Sequence, residues 1–120
     1  MFEKNLNISV LLDFYGDILT ERQKDMLDMY YNNDLSLSEI AENFSISRQG
    51  VRSVLKKGET ILTEMEEKLN LASRFGTVQE KSDKIAERLT KLNSKINDSF
   101  VSNEIDSIIS QIKELADYTD

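Results

Sequence analysis

The stretch from Leu37 to Lys57, LSEIAENFSISRQGVRSVLKK, constrains the fold most, because its apolar residues recur at the spacing of two short helices packed across a tight turn. Leu37, Ile40, Ala41 and Phe44 fall at i, i+3, i+4 and i+7 on one face of a first helix. Val51, Val54 and Leu55 do the same on a second, and Ile46 plugs the turn between them. Each helix carries its own start signal. Ser36 with Glu39 three residues on is a capping box, and the Ser47 hydroxyl caps the second helix. Small Ala41 stands where the helices cross, as close near-perpendicular docking requires. The pattern predicts a helix-turn-helix.

The second helix turns Arg48, Gln49, Arg52, Ser53, Lys56 and Lys57 away from its apolar face. Arg and Gln can make paired hydrogen bonds to guanine and adenine edges in a major groove, whereas Lys and Ser suit phosphates. With the capping residue, the expected nucleic-acid-binding set is Ser47, Arg48, Gln49, Arg52, Ser53, Lys56 and Lys57. Charge is segregated in the same sense. Phe44 to Lys57 holds 4 basic and no acidic residues, while Met1 to Asn43 holds 3 basic against 9 acidic and Gly58 to Asp120 holds 8 against 13. The net charge of −7 argues against bulk polyanion binding, so any binding should be local and salt-sensitive, with a log–log slope of roughly −0.9 per phosphate contact. The alternative is that the basic face is a solvated helix surface.

Of 120 residues none is proline and only 4 are glycine, which leaves few points to punctuate a multi-stranded sheet and predicts helices throughout. The fold class expected is all-α. Without cysteine there is no disulfide framework or thiolate metal site; without histidine or a glycine-rich phosphate loop, catalysis is the least supported class. Carboxylate pairs such as Asp13 and Asp17, or Glu64 and Glu67, have the spacing of a solvated helix face. No enzyme, cofactor or metal site is expected. The start, MFEKNLN, lacks the basic and apolar regions of a signal peptide, and the longest apolar run is Val10 to Leu12, so a cytoplasmic protein without membrane insertion is expected.

In chain order, Asn5 to Tyr15 reads as a first helix with Leu6, Val10, Leu11, Phe14 and Tyr15 on its inner face and Gly16 as its stop. Thr20 and Gln23 form another capping box before a helix carrying Met26, Leu27, Tyr30 and Tyr31, which ends at Asn32, Asn33 and Asp34. Tyr30 and Tyr31 are expected in packing rather than base stacking. Beyond Lys57, Ile61, Leu62, Met65 and Leu69 continue the second helix past Gly58 towards Arg74. Gly50 or Gly58 should mark a bend or a close helix approach. Phe75 and Gly76 are expected to break the chain, followed by a heptad-like seam of Val78, Ile85, Leu89, Leu92 and Ile96. A last helix, capped by Ser102, should present Ile105, Ile108, Ile109, Ile112, Leu115 and Ala116 on one stripe. The expected division is residues 1–74, the helix-turn-helix domain, and 75–120, a helical tail. Its stripes either fold back on the core or close against a second copy, and a homodimer is the simpler closure.

Leu19 to Leu62, LTERQKDMLDMYYNNDLSLSEIAENFSISRQGVRSVLKKGETIL, resembles the C-terminal helix-turn-helix of bacterial sigma factors, the part that reads the promoter's −35 element. With LLDFYGDILTERQ and SLSEIAENFSISRQGVRSVLKK as the most specific parts and a helical tail behind, most of the chain resembles the YlxM family of small DNA-binding proteins of Gram-positive bacteria. The resemblance implies a sigma-region-4-like helix-turn-helix domain with a C-terminal helical extension. It also implies a role linked to the signal recognition particle pathway. Arg48, Gln49, Arg52, Ser53 and Lys56 match the exposed face of the sigma-type recognition helix. Two departures stand out: Ser45 sits where such turns often have glycine, and no polymerase-binding region accompanies the motif. Three functions follow: a DNA-binding regulator, an RNA- or protein-binding accessory of the signal recognition particle without DNA reading, or an interaction module that has lost nucleic-acid binding.

Overall fold

The computed structural model describes residues 6–117, and all regular structure among them is helical. Six α-helices follow in order: α1 Leu6–Tyr15, α2 Glu21–Tyr31, α3 Leu37–Phe44, α4 Arg48–Leu69, α5 Leu71–Asn93 and α6 Ser99–Ala116. A 3-10 turn at Gly16–Ile18 links the first two. Contacts divide the chain into two compact units, Met1–Ala72 and Ser73–Asp120.

In the first unit α4 is the central rod, packed by α1, α2 and α3. The core is Ile8, Leu11, Leu12 and Tyr15 from α1, Leu19, Met26, Leu27 and Tyr30 around α2, Ile40 and Ala41 from α3, and Val51, Leu55 and Leu62 from α4. The inner face of α1 differs from expectation. Ile8, Leu11, Leu12 and Tyr15 face inward, while Val10 is 47% exposed and Phe14 lies at the surface. Apolar residues stand on nearly every side of LNISVLLDFY, so spacing alone admits two phases, and the burial available against α2 and α4 selects one. Asn5 and the Leu6 side chain lie outside the described residues.

Local signals fix the element ends. Thr20 and Gln23 form a reciprocal capping box: Gln23 N donates to Thr20 Oγ1 at 3.2 Å and Thr20 N donates to Gln23 Oε1 at 3.0 Å. Ser36 and Glu39 repeat it at 3.1 and 3.0 Å. Gly58 is the point of close approach, since a Cβ there would lie 2.6 Å from Leu27 Cδ1. Tyr31 donates to the Glu59 carboxylate and ties α2 to α4; burial first, then this bond, raises its pKa above the ordinary tyrosine value.

The break after α4 falls at Asn70, not at Phe75 and Gly76. Asn70 takes φ 55°, a left-handed conformation that asparagine tolerates. The new helix start is satisfied from far away in sequence: Leu71 N donates to Tyr15 Oη at 3.1 Å and Ala72 N to Glu66 Oε1 at 3.1 Å. Tyr15 Oη in turn donates to Glu66 Oε1 at 2.6 Å. Gly76 lies inside α5, where one exposed glycine costs only about 1 kcal/mol, too little to end a helix of 23 residues.

In the second unit, α6 starts at Ser99 with Asp98 as its cap, not at Ser102; Asp98 Oδ1 accepts from Phe100 N at 2.9 Å and Val101 N at 3.3 Å. Asn93 Nδ2 at the end of α5 donates to Asp106 Oδ1 on α6 at 3.0 Å. Ile96 falls in the connecting turn, outside the expected seam. Ala86 and Ala116 are buried and Leu89, Ile105, Ile109 and Ile112 half-buried, whereas Val78, Ile85, Leu92, Ile108 and Leu115 are exposed. None of the described helices is long and apolar enough to cross a membrane.

Candidate nucleic-acid interface

The turn between α3 and α4 is built without glycine. Ser45 takes φ 55° and ψ 44°, Ile46 N donates to Ala41 O at 3.1 Å, and Ser45 N donates to Glu42 O at 3.3 Å. This pair of bonds is a Schellman closure of α3, which brings Ile46 back against the core. The departure noted at Ser45 is therefore carried by the left-handed serine itself. Ser47 follows in extended conformation and its Oγ accepts from Gly50 N at 3.0 Å, so α4 starts one residue later.

From that start, helical geometry lays the outer side chains in two rows. Arg48, Arg52 and Lys56 recur every four residues on one row, and Gln49, Ser53 and Lys57 on the next. All six, and Ser47, are exposed, while Val51 and Leu55 on the opposite side are buried. Among the described residues no carboxylate pairs with Arg48, Arg52, Lys56 or Lys57. This contrasts with Lys24, which is held by Asp17 at 2.8 Å. The rows thus present four cations, an amide and a hydroxyl over about three turns of one rigid helix.

The family match spans the first unit and part of the second. The model of a family described as "Putative helix-turn-helix protein, YlxM / p13 like" (UPF0122) matches residues 2–101. The chain belongs to this family. It is similar to a UPF0122 protein of Clostridium kluyveri, 43% identical over 95 residues that cover 79% of this chain and 86% of that one. A UPF0122 protein of Acetivibrio thermocellus is 45% identical over 112 residues, 93% and 92% of the two chains. One of Halalkalibacterium halodurans is 36% identical over 115 residues, 96% and 99%.

Residues outside the expected set join the surroundings of α4. Gln23, in the first turn of α2, lines an open hollow of about 510 Å³ together with Ser53, Lys56, Lys57, Thr60 and Ile61 of α4. Its only sequence signal was the capping box. Arg22 beside it stacks over the Phe44 ring, 5.8 Å from the centroid, which places another cation at the end of α3. Tyr30 is buried and packs edge-on against Tyr31 with centroids 5.0 Å apart, so its ring is not a stacking platform for bases.

Proposed function

We propose that this protein is a DNA-binding regulator in which α4 enters a major groove. Arg48, Gln49, Arg52 and Ser53 address base edges, Lys56 and Lys57 hold phosphates, and Ser47 fixes the helix start at the groove. The single observation that carries this reading is the outer face of α4, where four cations stand exposed and, among the described residues, no carboxylate is paired to them. A chain with net charge −7 that keeps one such face free of acids has concentrated its affinity for polyanions there.

The proposal extends to three finer points. The protein acts in the cytoplasm, and it serves the signal recognition particle pathway, a link that rests on the resemblance to the YlxM family. It works as a homodimer, for which the support is the apolar surface of α5 and α6: Val78, Ile85, Leu92, Ile108 and Leu115 stand exposed at helical spacings. Two copies would also address two half-sites. Sedimentation equilibrium of the full chain tests this last point, and a monomer at tens of micromolar would remove it.

The deciding experiment is a titration of the purified protein against fragmented genomic DNA and against signal recognition particle RNA at low and moderate salt. Preference for a DNA subset supports the regulator; preference for the RNA would make the protein an accessory of the particle. Arg48→Ala and Arg52→Ala should weaken binding with helicity unchanged by circular dichroism, and wild-type affinity in both would remove the reading of α4 as the recognition helix.

A further inference from the structure

The hollow beside α4 is mainly apolar, with a few hydrogen-bonding groups at its edge. Thr60 Oγ1 donates its proton to Lys56 O at 2.9 Å, and Gln23 Oε1 accepts from Thr20 N at 3.0 Å. What Gln23 can offer is therefore its Nε2 amide, which the capping box orients by engaging the oxygen. Lys56, Lys57 and Ser53 supply two ammonium groups and a hydroxyl. Among the described residues no carboxylate lines the hollow, and Glu59, one residue from Thr60, is turned to Tyr31. The wall is apolar, made by half-buried Ile61 and the lysine stems.

We infer that this hollow seats one sugar–phosphate unit of a nucleic-acid strand, with Gln23 of α2 as a contact residue from outside the helix-turn-helix. The donor set fits a phosphodiester oxyanion, and the apolar wall fits a sugar face, which a free inorganic anion would leave unused. α2 thus fixes how far α4 can sink into a groove, because the strand bordering the groove must rest between the two helices. The inference rests on the reading of α4 as a nucleic-acid-binding helix and adds a second element to it.

The test is fluorescence anisotropy of the full chain with a labelled random-sequence DNA duplex, whose binding is sequence-independent and set by phosphate contacts. Lys57→Gln is expected to reduce the log–log salt slope by about 0.9, the value of one phosphate contact. Gln23→Glu keeps the capping box, since glutamate serves there equally, but puts a negative charge where the phosphate would sit. It should weaken binding roughly tenfold or more, whereas Asn33→Asp at the other end of α2 should cost far less. A wild-type slope in Lys57→Gln, or Gln23→Glu binding no worse than Asn33→Asp, overturns the hollow while leaving α4 as the reader if Arg52→Ala still weakens binding to the genomic DNA fragments. Displacement of the duplex by inorganic phosphate at matched ionic strength would reassign the hollow to a free anion and also overturn it. Absence of duplex binding by the wild type overturns both readings.

Discussion

Gly58→Ala should destabilise the protein, although it replaces glycine in a helix interior. The new Cβ would lie 2.6 Å from Leu27 Cδ1, about 0.8 Å inside the 3.4 Å at which ordinary contact begins. Leu27 is fully buried, so it cannot swing into solvent, and its displacement is taken up within the core it belongs to. Overpacking of this kind costs about 1–3 kcal/mol, against which the better helix propensity of alanine returns about 1 kcal/mol. The balance is a loss on the order of 1 kcal/mol, or a fall in Tm of about 5 °C for a unit of this size. Gly76→Ala is the internal control, because nothing lies within 4 Å of its Cβ. It should be neutral to stabilising by up to about 1 kcal/mol. Urea and thermal unfolding followed at 222 nm measure both, and a cycle with Leu27→Ala reads the pair directly: the double variant should lose less than the two single losses combined. Equal stabilisation by Gly58→Ala and Gly76→Ala would refute the close approach of α2 and α4.

Three further outcomes follow from the same structure. Ser36→Ala removes the acceptor of Glu39 N and should cost about 1 kcal/mol in urea unfolding, with the position of α4 otherwise kept. Ser45→Gly should stabilise by up to about 1 kcal/mol, since φ 55° strains a serine and not a glycine; a loss instead would mean that the serine side chain serves the turn. Burial and the Glu66 bond raise the pKa of Tyr15, and burial and the Glu59 bond raise that of Tyr31, so both phenols favour the protonated folded state. Their contribution is whole below the unfolded value of about 10 and is lost as pH rises from there through the folded values. Unfolding from pH 8 upward should therefore show stability falling above pH 10, less steeply in Tyr15→Phe, and an unchanged slope in that variant would refute the coupling.

Legibility from sequence followed the range of the interactions. The caps at Thr20, Ser36 and Ser47 act over three residues, and the α3–α4 pair buries one clean stripe, so both were readable. The end of α4 was not. Gly76 carries the stronger local breaking signal, yet Asn70 is the break because Tyr15, 56 residues before Leu71, satisfies the new helix start. A local reading cannot weigh a partner that distant. The seven expected binding residues are all exposed, the six on α4 spread over about half of its circumference. Gln23 was visible only as a capping residue, since its nearness to Ser53 and Lys57 is created by the crossing of α2 and α4 at Gly58.

Because α4 runs unbroken from Arg48 to Leu69, everything it presents to the outside is phased to everything it buries. Inserting or deleting one residue near its middle would rotate the presented face by about 100° against the anchored half, pointing Arg48 and Arg52 away from their present direction. Replacing an outer side chain shifts nothing inside. Such a scaffold can change what it recognises by successive substitutions at a handful of outward positions, while changes in the length of α4 are closed to it.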